Sequence, residues 1–285
     1  MTAASQLRAT PVLSRPQTTR AVYYAFLAVL ALGCLFPLLW MLGTSFKSGA
    51  DAQASPTNLF PTHPTLANYD TALHLLPRYF WNSTELAFLN VAGLLVVASL
   101  AGFAFARLDF PFRNVIFVAI LSTALVPHIV YLIPQYVVFR QYGWVDTHYP
   151  LWVPRAMTPV FGTFLMRQFF LTIPKELEEA ATIDGASWLG IYWRIMLPLA
   201  KPALATVGVF TFVDSWNDLL GPLIFINSQK LQTLPVALAL FQGEFFTNTA
   251  GLMAAATITI VPVLLVFLLA QKYFVQGINL TGLKD

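Results

Sequence analysis

Residues 21–43 read AVYYAFLAVLALGCLFPLLWMLG, a run of 23 residues without a charged side chain. A helix needs about 20 apolar residues to cross a hydrocarbon core of roughly 30 Å, so this stretch is long enough to span a membrane. We therefore predict an all-α, polytopic membrane protein. Five further apolar segments bring the predicted number of transmembrane helices to six: residues 86–106, 114–139, 151–166, 203–225 and 252–270.

The composition of the whole chain supports this fold class. Of its 285 residues, 57% are apolar and 10% are charged, whereas soluble domains carry about 25% charged residues. The net charge of +3 is too diffuse to indicate nucleic-acid binding. A single cysteine, Cys34, excludes an intramolecular disulfide framework and a cysteine-rich metal site. The four histidines match no zinc-ligand spacing, so we predict no metal site.

Lysine and arginine positions predict the orientation of the spans. With the N-terminus in the cytoplasm, 11 of the 16 basic residues fall in cytoplasmic segments and five fall outside, in agreement with the positive-inside rule. Both termini are then cytoplasmic. We expect residues 1–20 to form a flexible cytoplasmic tail and residues 21–285 to form the transmembrane domain. The apolar run at 21–43 is too long for the core of a cleaved signal peptide.

Residues 174–198 form most of the connection between the fourth and fifth predicted spans. Pro174 suits the first turn of a helix, where its missing N–H costs nothing, and the acidic residues that follow suit the positive end of a helix dipole. Gly185 can take the left-handed conformation that ends a helix. Ser187 is a suitable cap for a second short helix, and Pro198 should stop that helix. We predict a helix–turn–helix at the cytoplasmic surface, with a solvated acidic loop as the alternative.

The spacing within this segment identifies a known pattern. Glu179-Ala180-Ala181 is followed after three residues by Gly185, and after nine more by Ile195-Met196-Leu197-Pro198. This arrangement resembles the E-A-A-x3-G-x9-I-x-L-P pattern of ABC importer permeases, whose coupling helices dock on a cytoplasmic ATPase subunit. The resemblance implies a coupling role for one group of residues: Glu178, Glu179, Ala180, Ala181, Asp184, Gly185, Ile195, Leu197 and Pro198.

Other stretches resemble the maltose-type carbohydrate branch of these permeases. They are the segments 101–107 (AGFAFAR), 167–177 (RQFFLTIPKEL), 215–218 (SWND) and 276–284 (QGINLTGLK). The resemblance implies a type I importer fold in a bacterial inner membrane. It also implies a second permease subunit, two ATPase subunits and an extracytoplasmic solute-binding protein as partners.

The chain lacks the residues needed to bind ATP itself. None of its lysines follows a glycine, so a phosphate-binding G-x-x-x-x-G-K-[ST] loop is absent. The resemblance therefore assigns ATP and Mg²⁺ to the partner ATPase, with no cofactor in this chain. No serine elbow or Cys–His pairing is present either, so we predict a translocation subunit and not an enzyme. His128 is predicted to be a hydrogen-bonded interior histidine.

Polar residues in the predicted spans are candidates for the substrate path. A lone charge at mid-bilayer costs several kcal/mol, so Asp214 and Asp218 must face a cavity or a subunit contact. Trp216 and Asn217 lie beside them, and an aromatic ring with an amide suits a sugar. Packing against the partner permease is the alternative. Asn90, in the second span, is a further candidate, although a polar group there can simply bond a neighbouring helix.

The loop before the last span is a candidate contact with the binding protein. Gln242, Gly243, Glu244, Phe245 and Asn248 combine a flexible glycine with polar and aromatic groups. The resembled family inserts a loop near this place into the sugar cleft of its binding protein. A plain connecting turn is the alternative.

These observations predict a permease subunit of an ATP-driven, binding-protein-dependent importer for a sugar or oligosaccharide. Glycerol-3-phosphate is the alternative solute, although the polar groups in the spans are mainly acidic or neutral, apart from Arg155. A second class of function is an ion-coupled secondary transporter using Asp214, Asp218 and His128. A membrane enzyme is a third class, for which no nucleophile or metal constellation is recognisable.

Overall fold

The computed structural model describes residues 17–241 and 249–281, and within them every regular element is helical. This confirms the all-α prediction. A π-helical turn, Tyr192–Met196, and a 3-10 turn, Gln229–Leu231, accompany the α-helices. The α-helices in chain order are α1 Gln17–Ser45, α2 Gly49–Ala54, α3 Ala67–Leu75, α4 Pro77–Arg107, α5 Arg113–Thr123, α6 His128–Gln141, α7 Tyr149–Met157, α8 Val160–Thr172, α9 Glu176–Ile183, α10 Trp188–Ile191, α11 Leu197–Leu199, α12 Lys201–Trp216, α13 Leu220–Phe225, α14 Leu234–Phe241 and α15 Thr249–Thr281.

Three described helices are long and apolar enough to cross a membrane, namely α1, α4 and α15. Two further pairs qualify only as bent units: α5 with α6, at 93°, and the Trp188–Leu199 stretch with α12, at 75°. The described residues thus give three straight candidate spans, or up to five when each bent pair counts as one. Helix α1 already begins at Gln17, so residues 17–20 are helical rather than part of a flexible tail.

The predicted fourth span, residues 151–166, is not one helix. The chain forms α7 and α8, which are separated at Thr158 and Pro159. Thr158 has a non-helical backbone (φ −125°, ψ 59°), as expected for a residue that precedes proline. The predicted fifth span, 203–225, is also interrupted, since α12 ends at Trp216 and α13 begins at Leu220.

Helix α4 is the centre of the bundle and packs along α7, α8 and α12. Small residues allow the closest approaches, as is common between membrane helices. A Cβ atom added at Gly102 would lie 2.6 Å from the Cβ of Met166 on α8, and one at Gly162 would lie 2.9 Å from the Cβ of Ala98 on α4. The C-terminal half of α4 therefore packs in close contact with α8.

The buried apolar side chains form three clusters along α4. One lies at the C-terminal end of α4 and includes Phe103, Met166, Phe170 and Tyr192. The other two lie toward its N-terminal end: one contains Trp216 and the other contains Leu86 with residues of α6, α7 and α13. The first cluster unites α4, α8, α10 and α12, and so supports the segment singled out in the sequence.

A buried lysine donates hydrogen bonds to the backbone of the loop that follows α1. Lys47 is completely buried, and its Nζ donates to the carbonyl oxygens of Ser55 at 2.7 Å and Asn58 at 2.6 Å. Asn68 at the start of α3 donates from Nδ2 to the carbonyl oxygens of Ser45 and Lys47, both at 2.8 Å. Buried charge is tolerated only when it is hydrogen-bonded. These bonds close the loop onto α3.

Candidate functional site

The 174–198 segment has the predicted helix–turn–helix form. Helix α9 ends at Ile183, and Gly185 takes the left-handed conformation with φ +80°. Ser187 caps α10, because its Oγ accepts a hydrogen bond from the N–H of Gly190 at 3.2 Å. The predicted conformation of Gly185 and the cap at Ser187 are confirmed.

Both prolines of the segment act differently from the prediction. Pro174 lies just before α9, which begins at Glu176 with Lys175 as its N-cap. Pro198 does not end the second helix, because a π-helical turn and α11 continue the chain to Leu199. Pro198 occupies the first turn of α11, where the missing N–H is tolerated. The bend of 75° follows, before α12.

Most of the predicted coupling residues lie on the surface of the described chain. Glu179, Ala180, Asp184, Gly185 and Pro198 are exposed, and Ala181, Ile195 and Leu197 are half-buried. Apolar side chains that sequence reasoning did not select are exposed beside them: Ile183, Trp188, Leu189 and Trp193. Exposed apolar patches mark interaction sites. The available signal was Ile183 itself, an apolar residue at the end of a short helix that begins with acidic residues.

Glu178 does not share this surface. Its carboxylate Oε1 lies 2.7 Å from Nε of Arg107, the last residue of α4, and both side chains are buried. Its assignment to the docking surface therefore does not hold for the carboxylate. Burial raises the pKa of Glu178 above its ordinary value, against the lowering effect of the Arg107 guanidinium. The sequence did not single out Arg107 as a site residue.

A second charged cluster lies where α7 faces the end of α12. Nη2 of Arg155 is 3.2 Å from Oδ2 of Asp214 and 3.5 Å from Oδ2 of Asp218. Asp218 also accepts a hydrogen bond from the N–H of Gly221 at 3.1 Å. The side chain of Asp214 is 71% exposed, and that of Asp218 is 23% exposed. The two carboxylates are thus not lone charges, and together with Arg155 they carry a net charge of −1.

Two of the predicted path residues belong to the packed interior. Trp216 is 2% exposed, its Nε1 donates to the carbonyl oxygen of Thr259 at 3.1 Å, and its ring contacts Phe80 and Phe212. It is therefore not available to stack on a solute. Trp216 packs within this chain, so it fits neither the predicted solute path nor the alternative contact with a partner permease.

Asn90 is also buried, and its Nδ2 donates to Oγ of Ser215 at 2.8 Å, linking α4 to α12. It too serves helix packing. Asn217 is exposed, with its Nδ2 bonded to the carbonyl oxygen of Val213 at 2.9 Å. Of the five candidates, Asp214 and Asn217 are exposed to solvent and Asp218 is half-buried.

Two other predictions concern single groups outside these clusters. His128 is exposed at the start of α6, with its ring 4.9 Å from that of Tyr131, so it is not an interior histidine. Within residues 17–241 and 249–281, no three metal-ligating side chains cluster together. The candidate binding-protein contacts Gln242, Gly243, Glu244, Phe245 and Asn248 lie outside the described residues.

Comparison with known proteins relates this geometry to a family. The model of the binding-protein-dependent transport system inner membrane component matches residues 95–280. The sulfoquinovosyl glycerol transport system permease protein of Agrobacterium fabrum is 33% identical, over 98% of this chain and 99% of its own length. The trehalose/maltose transport system permease protein of Thermococcus litoralis is 34% identical, over 90% and 94% of the two chains.

A solved structure of an ABC transporter is also similar to this chain. A chain of a bacterial ABC transporter involved in the import of the acidic polysaccharide alginate superimposes with a TM-score of 0.79 and is 26% identical. The superposition covers 93% of this chain and all of the other. From the family match, the relatives and the shared fold, we conclude that this chain belongs to the family of binding-protein-dependent transport system inner membrane components, the permease subunits of ABC importers.

Proposed function

We propose that this chain is one permease subunit of an ATP-driven importer of a sugar or oligosaccharide. The observation that carries the proposal is the exposed surface around Gly185, in which acidic and apolar side chains from α9 and α10 lie together. A protein surface of this composition fits a docking contact. The partner would be a cytoplasmic ATPase subunit, which holds ATP and Mg²⁺.

The remaining partners and the orientation belong to the same proposal. A second permease would complete the pore, two ATPase subunits would bind below it, and an extracytoplasmic binding protein would deliver the solute. Both termini of this chain would be cytoplasmic, in a bacterial inner membrane. Closure of the ATPase subunits on ATP would draw the 174–198 segments together and open the spans outward, and hydrolysis would reset them.

The Arg155 cluster favours a neutral solute. Its one guanidinium is shared between Asp214 and Asp218, which leaves a net charge of −1 at a place where Asp214 is largely exposed. An anionic solute would be repelled there, whereas the hydroxyl groups of a neutral sugar can donate to the carboxylates. Glycerol-3-phosphate fits this charge less well.

Two glycines provide a matched test of the docking surface. Gly185 and Gly143 both have positive φ, at +80° and +69°, and a Cβ atom at either would meet nothing within 4 Å. Gly185→Asp and Gly143→Asp therefore impose similar backbone strain. We expect Gly185→Asp to reach the membrane but to lose ATPase co-purification or ATP-driven uptake. Gly143→Asp, in the connection between α6 and α7, should retain both. Unimpaired ATP-driven uptake by Gly185→Asp would refute the proposed docking.

Uptake measurements distinguish the solute classes. Labelled maltose, trehalose and sulfoquinovosyl glycerol, an alginate oligosaccharide and glycerol-3-phosphate would be offered to cells with and without the genes for the ATPase. We expect ATP-dependent uptake of a neutral sugar. Preferential uptake of glycerol-3-phosphate would replace the proposed solute, and proton-driven uptake by this chain alone would favour a secondary transporter.

A further inference from the structure

Arg107 connects helix α4 to the chain that enters the 174–198 segment. Its Nη2 donates to the carbonyl oxygens of Phe170, at 2.6 Å, and Ile173, both at the end of α8. Its Nε lies 2.7 Å from Oε1 of Glu178 in the first turn of α9. The side chain is buried, at 2% exposure. One guanidinium group thus contacts two carbonyl oxygens at the end of α8 and one carboxylate at the start of α9.

Polar side-chain contacts between α9 and other helices are scarce in the described part of the chain. Among the residues that the structure describes, no second hydrogen bond or ion pair of a side chain joins α9 to another helix. Apolar packing of α9 is also slight, since only Ala181 contributes to the core cluster below α4. The position of α9 therefore depends strongly on Arg107.

Helix α10 is held differently. Phe103 of α4 contacts the rings of Trp188 and Tyr192, and the hydroxyl of Tyr192 lies 2.8 Å from Oγ of Ser99. Packing and one neutral hydrogen bond join this half of the segment to α4. The two halves of the segment thus have separate attachments to the same span, and only the attachment of α9 is ionic.

We propose that Arg107 is the positioning residue that makes α9 move as one body with α4. This inference rests on the proposed docking of the segment on an ATPase. The planar guanidinium donates to two carbonyl oxygens and faces a carboxylate at the same time, which an ammonium group cannot reproduce with the same geometry. A displacement of α9 by its partner is thereby transmitted to α4, the central helix of the bundle.

The test measures the distance between α9 and α4. Spin labels would be placed at Leu177 on α9 and Leu100 on α4, which are 44% and 39% exposed. Cys34 is exposed and would first be replaced by serine. Distances would be recorded by pulsed electron spin resonance in the assembled complex in lipid nanodiscs, without nucleotide and with ADP trapped by vanadate after ATP hydrolysis. The variants are Arg107→Lys, Glu178→Gln and the double variant.

Arg113→Lys is the matched control. Arg113 pairs with Asp109 at 2.8 Å, but this pair is on the surface, with Asp109 97% exposed. We expect one narrow distance distribution in the unmodified protein and in the control, with the same centre in both nucleotide states. Arg107→Lys and Glu178→Gln should broaden it about twofold and make its centre depend on nucleotide, because lysine lacks the rigid fork of arginine and glutamine lacks the charge that pairs with it. The double variant should be no worse than the worse single variant, since the two groups act as one pair.

Each outcome decides between the two claims. An assembled complex that hydrolyses ATP, with distances unaffected by Arg107→Lys and Glu178→Gln, overturns this inference and leaves the proposed function intact. A nucleotide-dependent distance in the unmodified protein does the same. Failure of the unmodified permease to bind any ATPase overturns both. A lower yield with an unchanged distance distribution indicates a structural role alone and also counts against positioning.

Discussion

The described part of the chain contains two arginine–carboxylate clusters that join helices, and they differ in their access to solvent. The side chains of Arg107 and Glu178 are 2% and 9% exposed, and Nη2 of Arg107 donates to two carbonyl oxygens. The side chains of Arg155 and Asp214 are 27% and 71% exposed. The same residue types thus form a buried contact between helices around Arg107 and a solvent-exposed polar surface around Arg155. Burial, rather than the pairing itself, separates the buried cluster at Arg107 from the solvent-exposed cluster at Arg155.

Truncation of the buried arginine should have the largest effect on stability. Arg107→Met leaves Glu178 buried without its counter-charge and two carbonyl oxygens without a donor, which costs about 3–5 kcal/mol. Arg113→Met, at the surface pair with Asp109, should cost about 0–1 kcal/mol. The free energy of unfolding would be measured in mixed detergent micelles. Equal losses in the two variants would remove the distinction between the clusters.

The rigidity of the Arg107 end also depends on the contact between α4 and α8. Gly102→Ala places a Cβ atom 2.6 Å from that of Met166, and such overpacking costs about 1–3 kcal/mol. Gly33→Ala, on α1 with open space around it, is the matched control and should be neutral or slightly stabilising. The same unfolding measurement applies. A stabilising Gly102→Ala would show that α8 yields easily.

Within the exposed cluster, the two carboxylates should differ. Asp218→Asn weakens the contact with Arg155 and the bond from Gly221, and should cost about 1 kcal/mol. Asp214→Asn affects a largely exposed group and should cost about 0–0.5 kcal/mol. Stability would be compared with sugar uptake in the same preparations. If Asp214→Asn proves the more destabilising of the two, Asp214 is a packing residue and not part of a solute surface.

The smallest effect is expected from the pH dependence of the buried pair. In the folded state, burial raises the pKa of Glu178 above its ordinary value of 4.5. The folded chain therefore holds this proton more tightly than the unfolded chain. Relative to Glu178→Gln, the stability of the unmodified protein should fall as pH rises from about 4.5 through the raised pKa, and then remain constant. Glu176→Gln, in the same turn but exposed, is the control. A difference that grows with pH would show that Arg107 outweighs burial.

The sequence predicts long straight helices better than it predicts their interruptions. Residues 21–43, 86–106 and 252–270 all lie within single helices, because length and lack of charge are local properties. The breaks near Pro127 and at Thr158 are different, since hydropathy does not report the direction in which a chain leaves a proline. The same limit applies to the count of six spans, which stays a prediction.

The local form of the site was predictable, but its contacts were not. Positive φ at Gly185 and the cap at Ser187 follow from residue types within a few positions. By contrast, the adjacent Glu178 and Glu179 are indistinguishable until Arg107, far earlier in the chain, fixes the rotation of α9. Trp216 looked like a sugar-stacking ring for the same reason, because its burial depends on α4 and α15.

The buried Lys47 has a consequence for the environments in which the protein can work. Its ammonium group closes the loop after α1 through carbonyl oxygens, a task that exported proteins often give to a disulfide. The only cysteine, Cys34, lies in α1 and takes no part. Oxidants and reductants should therefore leave this loop unchanged, and its integrity does not require thiol-oxidising enzymes during assembly.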